Sequence, residues 1–181
     1  MRMPHHIATE PRLTPPLIAL AILAASAATV GAALAFEHIG GYEPCALCLK
    51  ERAPYYATIP VALAAVVAAW RWPSRFLTSG FFAVIIAVML YGAGLGVYHA
   101  GVEWKLWEGP AACAAGGAAP DSARAMLESL RPGNIGPSCT EAVWRFLGLS
   151  FAGWNAIIAA GLALLAGLGA VRAYGSSSVS Q

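Results

Sequence analysis

Four long apolar runs divide this chain, at 15–36, 53–70, 76–98 and 146–171, and nearly all of its charges lie between them. The shortest holds 18 residues, and at about 1.5 Å of rise per residue each run can cross a hydrocarbon layer about 30 Å thick with some tilt. A single run of this kind could be the core helix of a soluble domain. Four of them in 181 residues leave too little polar surface, and only 11% of the chain is charged against about 25% in soluble globular proteins. The pattern predicts an all-α membrane protein, a four-helix transmembrane bundle. The second run contains Pro54 and Pro60; the first is tolerable in an opening helical turn, and the second should kink the segment without preventing it from spanning.

Arg2 and Arg12 before the first run resemble the start of a cleaved signal. The run of 22 residues exceeds the about 7 to 15 of a signal core, and three further spans follow, so a retained helix is expected. Small residues inside the runs, among them Gly92, Gly94, Gly96, Gly161, Gly167 and Gly169, allow close helix packing where lipid supplies no hydrophobic drive for association.

Charge sets the orientation. With the N-terminus cytoplasmic, Arg2, Arg12, Arg71, Arg75 and Arg172 lie on the cytoplasmic side, and Lys50, Arg52, Lys105, Arg124, Arg131 and Arg145 on the other. The bare counts nearly balance, but the tiny link from Arg71 to Arg75 is doubly basic, whereas the longer connections are diluted by acids; density favours this orientation. Trp70, Trp72, Tyr98, Trp104, Trp107 and Trp144 flank the runs as interfacial anchors do.

The extracytoplasmic loops are then 37–52 and 99–145, and all four cysteines fall within them. None occupies an apolar run, although cysteine packs there readily. An even number of loop cysteines facing an oxidising compartment points to disulfide chemistry, with three pairings open. Cys45 and Cys48 form a C-x-x-C where a loop meets the second helix. Thiols at i and i+3 share a face, and the unpaired N–H groups of a helix start favour thiolate. Arg52, four residues beyond Cys48, can offset that thiolate or an anionic acceptor. A membrane protein that binds a metal through all four cysteines, or is purely structural, is the alternative of a different class, although Cys113 and Cys139 are 26 residues apart and form no second close knuckle. Between them, Ala123, Met126, Leu127 and Leu130 recur at helical spacing, capped by Asp121 or Ser122 and stopped by Pro132 and Gly133. This predicts a short interfacial helix on the membrane surface.

E-P-C-A-L-C-L-K-E-R over 43–52, His99 after the third run, the widely spaced Cys113 and Cys139, and G-L-S-F-A-G-W-N over 148–155 together resemble the DsbB family of bacterial inner-membrane disulfide oxidoreductases. The resemblance covers nearly the whole chain. It implies a four-helix bundle with both termini cytoplasmic and periplasmic redox loops. Such a protein reoxidises a soluble thioredoxin-fold oxidase, DsbA, and passes two electrons to ubiquinone or menaquinone; no nucleic acid is involved. By the same resemblance Cys113 would accept the partner's thiolate, Cys139 would exchange with Cys45, and Cys48 would face the quinone ring. Arg52 and His99 would be the polar residues beside that ring, with no metal required. Related oxidases dedicated to another thioredoxin-fold partner share this architecture. Energetics favour a strong acceptor: a structural disulfide below about −300 mV lies about 180 mV beneath a DsbA-like dithiol near −120 mV, a deficit of about 8 kcal/mol for two electrons. The chain has no haem attachment motif, dinucleotide fingerprint or P-loop to suggest another acceptor.

Overall fold

The computed structural model describes residues 14–72, 74–110, 113 and 138–175. Four helices within them are long and apolar enough to cross a membrane: α1 (Pro15–His38), α2 (Ala46–Arg71), α3 (Arg75–Glu103) and α4 (Phe151–Gly175). The protein is a multi-pass all-α membrane bundle. The short interfacial helix expected between Cys113 and Cys139 lies outside the described residues.

Proline opens α1, at its first two positions, where no intrahelical donor is lost. Ile18, Ala19, Ile22, Ser26 and Val30 then form its buried stripe. Along α3 the buried residues Phe82, Ile85, Met89, Gly92, Gly96 and His99 alternate steps of three and four, the spacing of helices that cross at a shallow angle. Most large side chains facing away from the core are apolar, including Leu63, Leu90, Val97 and Leu164, as a lipid-facing surface requires.

Three helix boundaries differ most from those of the apolar runs. α2 begins at Ala46 instead of 53, because Cys45 caps it: its Sγ accepts the Cys48 N–H. Hydropathy alone misses this start, since Lys50, Glu51 and Arg52 make the first two turns polar while leaving them helical. Pro54 therefore stands well inside α2, beyond the turn where its missing N–H is free of cost. α3 continues past 98 to Glu103, which puts His99 on a helix. α4 starts at Phe151 because the residues before it form a hairpin, β1 (Arg145–Phe146) against β2 (Leu149–Ser150). Its two-residue loop has positive φ at both Leu147 and Gly148, the geometry that matches the twist of paired strands.

The closest seam runs between α3 and α4. A Cβ placed on Gly96 would stand 2.7 Å from the Ala156 N and 3.0 Å from the Ala152 O, both backbone atoms that cannot turn aside. By contrast, Gly94 on the same helix has open space where its Cβ would be. Gly96→Ala should therefore destabilise the bundle by about 1 to 3 kcal/mol through overpacking, while Gly94→Ala should be neutral or slightly stabilising. Unfolding of the two variants in detergent measures the difference; equal stability would show that the seam gives way more readily than its geometry implies.

Candidate active site

All four cysteines meet at one end of the bundle. Cys45, Cys113 and Cys139 are buried with Leu47 and Val102 in one cluster, and Ala46 and Cys48 pack against it. Cys113 and Cys139 form a disulfide, and Cys45 and Cys48 are free. The sequence left three pairings open; this is the one observed. It occupies two of the sulfurs that a four-thiolate metal centre would need.

Cys45 is held by several donors at once. Its Sγ lies 3.3 Å from the Cys48 N, 2.9 Å from the Cys48 Sγ and 3.7 Å from His99 Nε2. The shared thiol hydrogen belongs on Cys48, because the N–H and the imidazole both address Cys45. These contacts, first the Cys48 thiol and then His99 and the Cys48 N–H, outweigh burial and lower the Cys45 pKa from 9.0 to about 4. The remaining nitrogen of His99, Nδ1, lies 2.9 Å from Glu51 Oε1. Cys139 completes this group: its sulfur, the Cys45 sulfur and a His99 nitrogen all lie within 4.8 Å of one another. Cys139 is thus the member of the disulfide that adjoins Cys45.

Cys48 faces elsewhere. It lines a cavity of about 560 Å³ bounded by α1, α2, α4 and the segment around the hairpin, within the range of about 300 to 1,000 Å³ typical of small-molecule sites. The walls are mainly apolar and aromatic, with Phe36, Trp144, Phe151 and Ile158 among them, and Arg52, Glu37, Glu51 and Asn155 supply polar groups. Arg52 donates from Nη1 to Glu37 Oε2 on α1, so its charge is shared with a carboxylate at the cavity wall. Tyr55 Oη donates to Asn155 Oδ1 at 2.7 Å and ties α2 to α4. Trp144, expected as an interfacial anchor, also stacks on Phe146 and Phe151 and forms part of the wall.

The six residues singled out from the sequence therefore divide into two groups. Cys48 and Arg52 line the cavity, whereas His99 does not; it joins Cys45 and Cys139 on the sulfur side. Sequence reasoning missed Glu51, Glu37 and Asn155. A signal for Glu51 existed: Cys45, Cys48, Glu51, Arg52 and Tyr55 recur along one helix face, but the segment reads as loop by hydropathy.

Comparison with known proteins shows the family. The sequence model of the family described as disulfide bond formation protein DsbB matches residues 15–169. The chain belongs to the DsbB family. Similar proteins include the disulfide bond formation protein B of Aromatoleum aromaticum, 32% identical over 145 residues, 76% of this chain and 81% of the relative. That of Marinobacter nauticus is 34% identical over 139 residues, 72% and 77% of the two chains. No solved structure matches the chain significantly. DsbB membership makes an oxidoreductase activity directed at disulfides the general role of this site, consistent with two adjacent cysteine pairs in different oxidation states.

The depressed Cys45 pKa has a direct consequence for reactivity. With Cys45 and Cys48 reduced, alkylation of Cys45 by iodoacetamide should stay near its plateau down to about pH 5 and fall as the pH drops through about 4, whereas an ordinary cysteine loses reactivity below about 8.5. Cys48→Ala removes the largest contribution and should move the midpoint upward. A midpoint near 8.5 in the parent protein would show that the contacts seen at Cys45 do not stabilise a thiolate.

Proposed function

We propose that this DsbB-family protein reoxidises a periplasmic DsbA-like thiol oxidase and passes two electrons to ubiquinone or menaquinone in a bacterial inner membrane. The observation that carries this reading is the placement of the two thiols of one C-x-x-C: Cys45 against the Cys113–Cys139 disulfide, Cys48 on an apolar cavity. Four spans would put both ends of the chain on one side of the membrane and the cysteines on the other. The doubly basic link from Arg71 to Arg75 supports a cytoplasmic location for the termini.

The cycle starts with Cys113–Cys139 and Cys45–Cys48 both oxidised. The partner's thiolate attacks Cys113, forming a mixed disulfide and releasing Cys139 as thiolate. The partner's second thiol then displaces Cys113 and leaves oxidised. Cys139 attacks Cys45, breaking the Cys45–Cys48 bond and releasing Cys48 as thiolate at the cavity. Cys113 attacks Cys139, restores their disulfide and frees Cys45. The Cys45–Cys48 pair now holds two electrons, the state in which the structure shows it. These pass to quinone with two protons, giving quinol and re-forming the Cys45–Cys48 disulfide. Both sulfurs of Cys113–Cys139 are buried, so reaction with a partner requires Cys113 to become exposed.

The cavity fits a quinone by its chemistry. Its aromatic walls suit a flat ring, and the Arg52 guanidinium beside Cys48 can meet an oxygen that gains negative charge as electrons arrive. Glu37 holds that guanidinium in place and tempers its charge.

Two experiments test this function. A DsbA-like partner whose second cysteine is replaced by alanine should accumulate as a mixed disulfide with Cys113, because the thiol that displaces Cys113 is gone; a partner recovered on Cys45 would reverse the order of the loops. Arg52→Met should slow anaerobic reduction of ubiquinone-1 by the reduced protein by about 100-fold or more while sparing mixed-disulfide formation, and Arg52→Lys should retain part of the rate. Unchanged quinone reduction in Arg52→Met, or equal losses in both assays, would remove Arg52 from the quinone site.

A further inference from the structure

His99 and Glu51 are buried, their exposures being 3% and 7%, and neither is used by the relay as written above. Buried ionisable groups in a membrane bundle are costly and are retained where they have partners or a task. Here one imidazole connects three elements: Nδ1 meets Glu51 on α2, Nε2 faces the Cys45 sulfur, and the Cys139 sulfur adjoins both. His99 takes no part in the wall of the cavity beside Cys48, although Glu51 lines it.

We propose that His99, held by Glu51, is the catalytic group of the exchange between Cys45 and Cys139, stabilising Cys45 as the departing and attacking thiolate. The inference rests on the proposed relay and assigns the site of one of its steps. In that step the Cys113 thiolate attacks Cys139 in the Cys45–Cys139 disulfide. The Cys113–Cys139 bond forms, the Cys45–Cys139 bond breaks, and the electron pair of the broken bond stays on Cys45. No net oxidation occurs, and the negative charge moves from Cys113 to Cys45. That charge appears beside Nε2 and the Cys48 N–H, two donors already in place, so little reorganisation is needed. In the opposite direction the same donors stabilise the nucleophile.

Glu51 acts through His99. Its carboxylate accepts from Nδ1–H, which fixes the ring's orientation, directs Nε2 to the sulfur and favours the imidazolium that a neighbouring thiolate needs. It is a positioning residue. Other titratable groups face this pair. Glu103, one turn beyond His99 on α3, brings Oε1 to 4.0 Å from Nε2, and its Oε2 is buried without a hydrogen-bond partner among the described residues. The Cys48 thiol faces Cys45 from α2. Glu103 thus competes with Cys45 for the same nitrogen, which makes Glu51 the partner that leaves Nε2 available to sulfur.

The test uses the full chain in lipid nanodiscs. In a Cys48→Ala background Cys45 cannot close on Cys48, so one disulfide partitions between Cys113–Cys139 and Cys45–Cys139, and peptide mapping after acid quench reads the ratio. His99→Ala should raise the pH midpoint of Cys45 alkylation by about one unit or more and enrich the Cys45–Cys139 form by about tenfold for each unit. Glu51→Gln keeps the size and the acceptor but loses the charge; it should shift both readouts in the same direction by less, and Glu51→Asp should restore part of the shift. In the chain that retains Cys48, the ubiquinone-1 concentration giving half-maximal reduction is measured in His99→Ala alone, because Glu51 lines the cavity. An unchanged Cys45 midpoint and disulfide ratio in His99→Ala and Glu51→Gln would overturn the proposal, and a raised half-saturating ubiquinone-1 concentration would then return His99 to the quinone. If His99→Ala fails to fold, Glu51→Gln and Glu51→Asp decide by the Cys45 midpoint and the disulfide ratio. Failure of the parent protein to reduce ubiquinone-1 at all would instead refute the proposed function, leaving the Cys45 midpoint and the disulfide ratio to judge His99 by themselves.

Discussion

The hydrogen bond from the Cys48 N–H to the Cys45 sulfur joins the folding of this protein to its chemistry. A helix start leaves N–H groups without intrahelical partners, and in a region shielded from water an unpaired donor is costly. Most helices use a serine, threonine, asparagine or aspartate oxygen at that position. Here the acceptor is sulfur, whose capacity to accept is greatest as thiolate. The contact that ends the loop and begins α2 therefore also stabilises the reactive form of Cys45, and it sets the direction in which that sulfur points, toward His99 and Cys139. Shifting the start of α2 would move the cap, the nucleophile and the cavity-facing Cys48 together.

Two adjoining thiols consequently serve different surroundings. Cys45 belongs to a dense, buried group of sulfur and imidazole, and Cys48 opens on a cavity with aromatic walls. A single turn of helix separates the two environments. The rest of the bundle supports that division. α3 and α4 meet through backbone at Gly96, a seam with no room for a ligand. The cavity lies on the other side, between α1, α2 and α4, where Tyr55 and Asn155 bridge the wall.

Charge inside such a bundle is tolerated only when it is matched. Arg52 is joined to Glu37, and His99 to Glu51; both pairs link α2 to a neighbouring helix near the cysteine end. Breaking a buried pair by removing one partner leaves the other uncompensated. Substitutions that keep the shape while changing the charge, such as Glu51→Gln, therefore separate chemistry from folding more cleanly than truncations do. Acids that look like solvated loop charges in the sequence are, in the structure, the partners of Arg52 and His99.

The sequence by itself determined that the chain spans a membrane four times, because four apolar runs of 18 residues or more in 181 residues leave too little polar surface to stay in water. It also determined that Cys45 and Cys48 share a face, since steps of three or four residues along a helix are local geometry. Arg52 was legible for the same reason. Tertiary structure decided what lies far apart along the chain. The approach of Cys139 to Cys45, the pairing of His99 with Glu51, 48 residues away, and the choice of Glu37 as partner of Arg52 all depend on how helices pack, and no local pattern encodes them. Hydropathy also misplaced the start of α2, because it scores Lys50, Glu51 and Arg52 as loop although the side chains of Glu51 and Arg52 point into protein. His99 shows the limit most clearly. Its position after the third apolar run associates it equally with the quinone or the sulfurs, and only the rotation of α3 against α2 turns its ring toward Cys45.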